Sequence, residues 1–186
     1  DGHKVTIYET HEHAGGMLRY GIPPYRLPKD VLDKEINDIL SLGVTLKTGT
    51  SLGGNFSISS LLDGGEDAVF LGIGASISKE ARVKGERSEG VYSAIEFLNE
   101  VNRSKRTKIG NRVAVIGGGF TAADAARTAR RLGSRHVSLV YRRGRKEMPA
   151  SPLEIHECEV EGVVLELLTA PVAIKPAGDG SLIMTC

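Results

Sequence analysis

The chain has 186 residues, enough for one or two small domains with a buried core. Its 24 Lys+Arg balance 23 Asp+Glu for a formal net charge of +1, so no polyelectrolyte partner is implied, neither nucleic acid nor an anionic membrane. Two cysteines, Cys158 and Cys186, form no C-x-x-C pair, and no apolar run reaches the ~18 residues of a membrane span; this disfavours a dithiol centre, a cysteine metal site and a transmembrane segment, and fits a cytoplasmic setting.

Residues 4–8 are predicted as a strand that arrives at an acid, Glu9. Residues 10–28 (THEHAGGMLRYGIPPYRLP) carry Gly, Pro and aromatics but no period. A loop of that length is uncommon unless it has a task. Pro28 suits a first helical position. The following KDVLDKEINDILSL places Val31, Leu32, Ile36, Ile39 and Leu40 on one helical face, and Gly43 closes it. VTLKTGT (44–50) is a second strand, and 57–62 a short helix. DAVFLGIG (67–74) is a continuous apolar run, as in a buried parallel strand. Residues 75–92 are polar and irregular. The domain junction is placed there, with one domain over 1–78 and another over 79–186.

In the second domain, Ser93 and Glu96 have the spacing of a capping box and open a helix. RVAVIG (112–117) is a strand, and FTAADAARTARRL an alanine-rich helix stopped by Gly133. HVSLVY (136–141) is the next strand. Ser151 and Glu154 repeat the capping pattern, with Pro152 in the first turn, and that helix ends at Gly162. VVLELL (163–168) is a further strand, and 172–186 a hairpin turning at Asp179-Gly180. Strands alternating with helices predict an α/β, Rossmann-like nucleotide-binding fold, a parallel sheet with helices.

Gly117-Gly118-Gly119-Phe120-Thr121-Ala122 has the form G-x-G-x-x-A. Alone this is a weak signal. Here it directly follows a strand and opens a helix, the setting in which it binds a dinucleotide. Gly117 permits the tight turn, Gly119 lets backbone approach a pyrophosphate, and Ala122 allows close helix–strand packing. The free N–H groups and positive end of the helix then face the phosphates. The plainer alternative is a strand–helix turn with accidental glycines.

The nucleotide is read from the end of the next strand. NAD-binding units place an acid there for the ribose hydroxyl. This chain has Arg142 and Arg143 instead. A carboxylate would repel a 2′-phosphate, whereas guanidinium groups give it forked, charge-assisted hydrogen bonds. The site is expected to prefer NADP(H) over NAD(H). The alternative is a solvated basic face, since Arg127, Arg130, Arg131, Arg135, Arg145 and Lys146 lie nearby. Arg127, Arg130 and Arg131 are expected on the exposed side of their helix, for solvent or a partner.

VAVIGGGFTAADAARTARRLG, VYRRGRKEMPA and EIHECEVEGV resemble the glutamate synthase small (β) subunit family, as do VTIYE, GGMLRYGIPPYRLPK and DAVFLGIGA. YGIPPYRLPK, and YRR followed by MPA, are more specific than the glycine turn. The resemblance implies an FAD-binding domain carrying an inserted NADPH-binding domain, with hydride passing from NADPH to FAD and electrons on to iron–sulfur clusters or a large synthase subunit. It implies Glu9 at the FAD ribose. It implies Gly15, Gly16, Leu18 and Ile22, with Tyr20, Gly21 and Pro23, along the flavin. Gly117, Gly118, Gly119, Phe120, Thr121, Arg142 and Arg143 would hold NADPH. Phe120 departs from the small polar residue common in the family. The family's first FAD strand and glycine turn, its returning FAD segment and its cysteine-rich iron–sulfur domain find no counterpart. The chain is therefore expected to be a middle portion of a longer flavoprotein, one that binds FAD poorly by itself.

No catalytic side chain is expected, because hydride transfer between two rings needs none. No metal site is expected either: His11 and His13 lie in a loop with no second cluster to complete a ligand shell. Glu147, Glu154, Glu157, Glu159 and Glu161 are expected to be solvated, and Cys158 inert. Two other functions remain open. One is part of another flavin reductase, of ferredoxin:NADP or disulfide type. The other is a non-catalytic nucleotide-binding module.

Overall fold

The computed structural model describes residues 2–78, 80–105 and 108–186, and its contacts divide the chain into two units, 1–76 and 77–186. In the first unit, strand β1 (Thr6–Tyr8) pairs in parallel with β2 (Thr45–Lys47), in the register Thr6 to Thr45 and Tyr8 to Lys47. The connection between them contains α1 (Gly16–Tyr20) and α2 (Lys29–Ser41), as parallel pairing requires a long crossover. The short helix α3 (Ile58–Asp63) follows. Its N-cap Ser57 and its Ser60 form a reciprocal capping pair.

Two sequence expectations change here. On α2, Leu32, Ile36 and Leu40 form the covered stripe, whereas Val31 and Ile39 are exposed. Spacings of four hold to one line down a helix, and the flanking positions turn to solvent. Residues 67–74 form no strand, and Phe70 is 94% and Ile73 74% exposed. Apolarity drives burial but supplies no neighbour. A parallel strand needs a hydrogen-bonding partner, and among the described residues β1 and β2 pair only with each other.

The second unit is built on the parallel sheet β3 (Arg112–Ile116), β4 (His136–Tyr141) and β5 (Val163–Leu167), in that order. The register runs from Arg112 opposite His136 to Ile116 opposite Val140, and from Val137 opposite Val163 to Tyr141 opposite Leu167. Helix α5 (Phe120–Arg131) crosses from β3 to β4, and α6 (Pro152–Val160) from β4 to β5. Helix α4 (Ala94–Asn102) precedes the sheet, and Ser93 caps it by accepting from Glu96 N. The hairpin β6 (Ala173–Pro176) and β7 (Leu182–Thr185) is antiparallel. The chain is thus an α/β protein with parallel sheets.

The core lies between the sheet and its helices: Phe97 and Leu98 from α4, Ala122, Ala123, Ala125, Ala126 and Ala129 from α5, Val137 and Leu139 from β4, Ile155 and Cys158 from α6, and Val163 from β5. Helix α5 is buried from Ala122 through Ala129 because α4, α6 and the sheet all pack on it. Alanines suit a helix approached from several sides, since they add no bulk and lose no rotamer entropy.

Candidate functional site

The three glycines that join β3 to α5 are glycine for three different reasons. Gly117 has φ +143, and a Cβ on it would lie 3.1 Å from the Ala122 Cβ, so both its conformation and the closeness of the helix exclude a side chain. A Cβ on Gly118 would lie 2.7 Å from the Tyr141 ring. Gly119 is the extended N-cap of α5, has no side-chain capping bond, and a Cβ there would meet nothing within 4 Å. No internal contact demands glycine at that position. Open backbone at the N-terminus of a helix of this length is what an incoming pyrophosphate requires. Phe120 and Thr121 are exposed on the first turn beside it.

At the end of β4, Arg142 and Arg143 are exposed and have no ion-pair partner among the described residues. Their backbone is held in place: Leu168 N donates to Arg143 O at 3.2 Å, and Thr169 N to Tyr141 O at 3.1 Å. The turn and the arginines lie at the carboxyl ends of adjacent parallel strands, where open α/β sheets bind ligands.

Arg127, Arg130, Arg131 and Arg145 have structural partners, which corrects the expectation that they face solvent. Arg127 is only 6% exposed. It donates from Nε and Nη2 to Glu161 Oε1 at 3.0 and 2.8 Å and from Nη2 to Glu157 Oε2 at 3.2 Å; its Nη1 lies 3.5 Å from Glu154 Oε2. Arg131 donates to both Glu161 oxygens, at 3.1 and 2.7 Å. Arg130 donates to the carbonyls of Glu161, Ser134 and Arg135, and Arg145 pairs with Glu159. The glutamates expected in solvent are therefore largely committed to these bonds. This face of α5 packs against α6, with the Arg131 side chain still half-exposed. Burial alone would raise the Glu161 pKa, but the hydrogen bonds and charges of Arg131 and Arg127 hold it below the ordinary carboxylate value.

Cys158 lies fully buried beneath this cluster, its Sγ 3.9 Å from Ala123 O. Burial pushes its thiol up to about 11. Arg127 opposes that shift, and Glu154, Glu161 and Asp124 add to it. A thiol reagent applied near neutral pH should therefore modify exposed Cys186 at once, and Cys158 only on unfolding; peptide mapping with and without denaturant checks this.

The first unit gathers the other candidates around the 10–28 segment. Glu9 Oε1 accepts from His11 N at 2.8 Å, leaving its second oxygen outside that turn. Gly15 and Gly16 have φ +120 and +48 and open α1. Leu18 is exposed and Ile22 half-buried. The segment is not loose. Tyr20 OH lies 3.2 Å from both N and O of His13, and the His11 ring packs edge-on to Tyr20 with centroids 4.5 Å apart. Lys29 Nζ donates to Leu18 O and Ile22 O at 2.8 and 2.6 Å, and burial, then Arg19, lowers its pKa. These anchors had no sequence signal, because α1 is too short to show a period. No group of three metal-ligating side chains occurs among the described residues, and no helix of the described residues is long and apolar enough to cross a membrane.

The chain is similar to known redox proteins over nearly all of its length. It is 43% identical over 176 residues to the NADP(+)-dependent formate dehydrogenase subunit beta of Moorella thermoacetica, covering 93% of this chain and 25% of that one. It is 33% identical over 195 residues to the glutamate synthase (NADPH) small chain of Escherichia coli, covering 98% of this chain and 41% of that one. The chain thus spans between a quarter and about two-fifths of these relatives. In fold it matches FprA from Mycobacterium tuberculosis in complex with NADPH, with a TM-score of 0.76 over 98% of this chain and 60% of that chain at 17% identity. The match to the pyridine nucleotide-disulphide oxidoreductase family runs from residue 2 to residue 185, and the chain belongs to that family.

Proposed function

We propose that residues 77–186 form the NADPH-binding module of a flavoprotein oxidoreductase, and residues 1–76 part of its FAD-binding domain. When both cofactors are bound, NADPH supplies a hydride that FAD accepts, and the electrons leave for iron–sulfur clusters or a partner subunit in the cytoplasm. This chain's residues bind and orient. The Gly117–Gly119 turn and the N-terminus of α5 receive the pyrophosphate, with Phe120 and Thr121 beside it. Arg142 and Arg143 hold the 2′-phosphate. In the first unit Glu9 bonds the FAD ribose through its free oxygen, and Gly15, Gly16, Leu18 and Ile22 lie along the flavin. The names of the relatives support this reading, as three of the most similar are β or small subunits of NADP-dependent enzymes.

The observation that carries the proposal is Gly119, whose missing side chain serves no contact within the protein. Gly119→Ala should lower the melting temperature only slightly, since alanine is a poorer N-cap than glycine but restricts the unfolded chain, and should weaken NADPH binding roughly tenfold, since a methyl group would displace the phosphate from its N–H donors. Calorimetric titration beside a thermal melt checks both halves. Unchanged NADPH affinity in a folded Gly119→Ala protein would refute the site.

A further inference from the structure

Tyr141 ends β4, and its side chain joins two parts of the candidate site. Its ring covers Gly118 so closely that a Cβ there would lie 2.7, 2.8 and 2.9 Å from Cδ2, Cε2 and Cγ. Its hydroxyl donates to Glu147 O at 2.7 Å and closes the loop that begins with Arg142 and Arg143. The same loop returns to the turn through Ala150 N, which donates to Gly118 O at 3.0 Å. The turn in its own right is tied to β4 by Gly117 N donating to Val140 O at 2.9 Å.

We infer that Tyr141 is a positioning residue: it sets the span between the glycine turn and the Arg142–Arg143 pair, and through that span the preference for a 2′-phosphorylated dinucleotide. The inference rests on the reading of Arg142 and Arg143 as donors to the 2′-phosphate. A dinucleotide that is gripped at its pyrophosphate can use the arginines only if they stand at the right distance. Exposed arginine side chains lose rotamer freedom on binding. A backbone fixed on both sides lowers the remaining cost. The bonds from residues 168 and 169 fix it on the β5 side, and Tyr141 fixes it on the turn side. A ring that merely fills the space over Gly118 would instead support NADPH and NADH binding equally.

The two roles are separated by titrating the 186-residue chain with NADPH and with NADH. Tyr141→Ala should lower NADPH affinity about tenfold and NADH affinity much less, so the ratio of the two falls. Tyr141→Phe keeps the ring over Gly118 and removes the bond to Glu147 O, and should lower the ratio about threefold, within the worth of one hydrogen bond. In an Arg142→Ala/Arg143→Ala background Tyr141→Ala should no longer change the ratio, because groups that act through one another are not additive. A wild-type ratio in both tyrosine variants, or equal losses for the two nucleotides, would overturn the inference while leaving the arginine site standing. An unchanged ratio in the arginine variant would overturn both. If thermal melts show that Tyr141→Ala does not fold, Tyr141→Phe decides the matter.

Discussion

Replacing Arg142 and Arg143 together by alanine should lower NADPH affinity about 10- to 100-fold and leave NADH affinity close to its starting value. The magnitude follows from charge-assisted hydrogen bonds, worth about 1.5–3 kcal/mol where a charged group takes part. The selectivity follows from chemistry, since NADH has no 2′-phosphate for a guanidinium to grip. The fold should not suffer, because both side chains are exposed and neither forms an ion pair among the described residues. The loss should also shrink as salt rises, because exposed charges are screened. Titrations with the two nucleotides at two ionic strengths check each part. Equal loss of NADPH and NADH would mean that the arginines support the loop and not the phosphate.

Arg127→Ala has the largest expected effect on stability. It leaves Glu154, Glu157 and Glu161 with one fewer positive charge at a site where Arg127 is nearly inaccessible. Breaking a buried pair by removing one partner costs about 3–5 kcal/mol. The lower end applies, since Glu157 is 42% exposed and Arg131 still reaches Glu161. Arg131→Ala, at a position 49% exposed, should cost at most about 1 kcal/mol. The pH dependence gives an independent reading. The folded pKa of Glu161 lies below the ordinary value near 4.5. Its contribution is therefore present above that value and is lost as pH falls through the lower folded pKa. Arg127→Ala should flatten this acid limb. Urea unfolding of both proteins at neutral and acid pH measures the effect, and parallel curves offset by less than about 1 kcal/mol would contradict the clamp.

Much of the second unit is legible in sequence because its signals are local. A five-residue apolar strand, three glycines and an alanine-rich helix specify β3, the turn and α5 without reference to anything distant. Ser151 and Pro152 likewise start α6 where they stand. What was not legible is what depends on who packs against whom. Arg127 and Arg131 on α5, and Glu154 and Glu157 on α6 with Glu161 at its C-cap, do recur at helical spacing, so each stripe is visible. That the two stripes face each other is tertiary information, and the arginines accordingly look solvated in sequence. Residues 67–74 fail in the opposite sense: their apolarity announces a strand, yet among the described residues nothing pairs with them. Tyr141 had no signal at all beyond its place before two arginines. Its ring acquires meaning only from Gly118 across the strand ends.

Through Gly117–Gly119 and Arg142–Arg143 the second unit is proposed to recognise a 2′-phosphorylated dinucleotide. The measurement that tests it most directly is the pair of dissociation constants of the unmodified chain for NADPH and NADH, taken by calorimetry in one buffer and needing no flavin. NADPH should bind at least about tenfold more tightly, the equivalent of roughly 1.4 kcal/mol. Equal constants, or tighter binding of NADH, would contradict it.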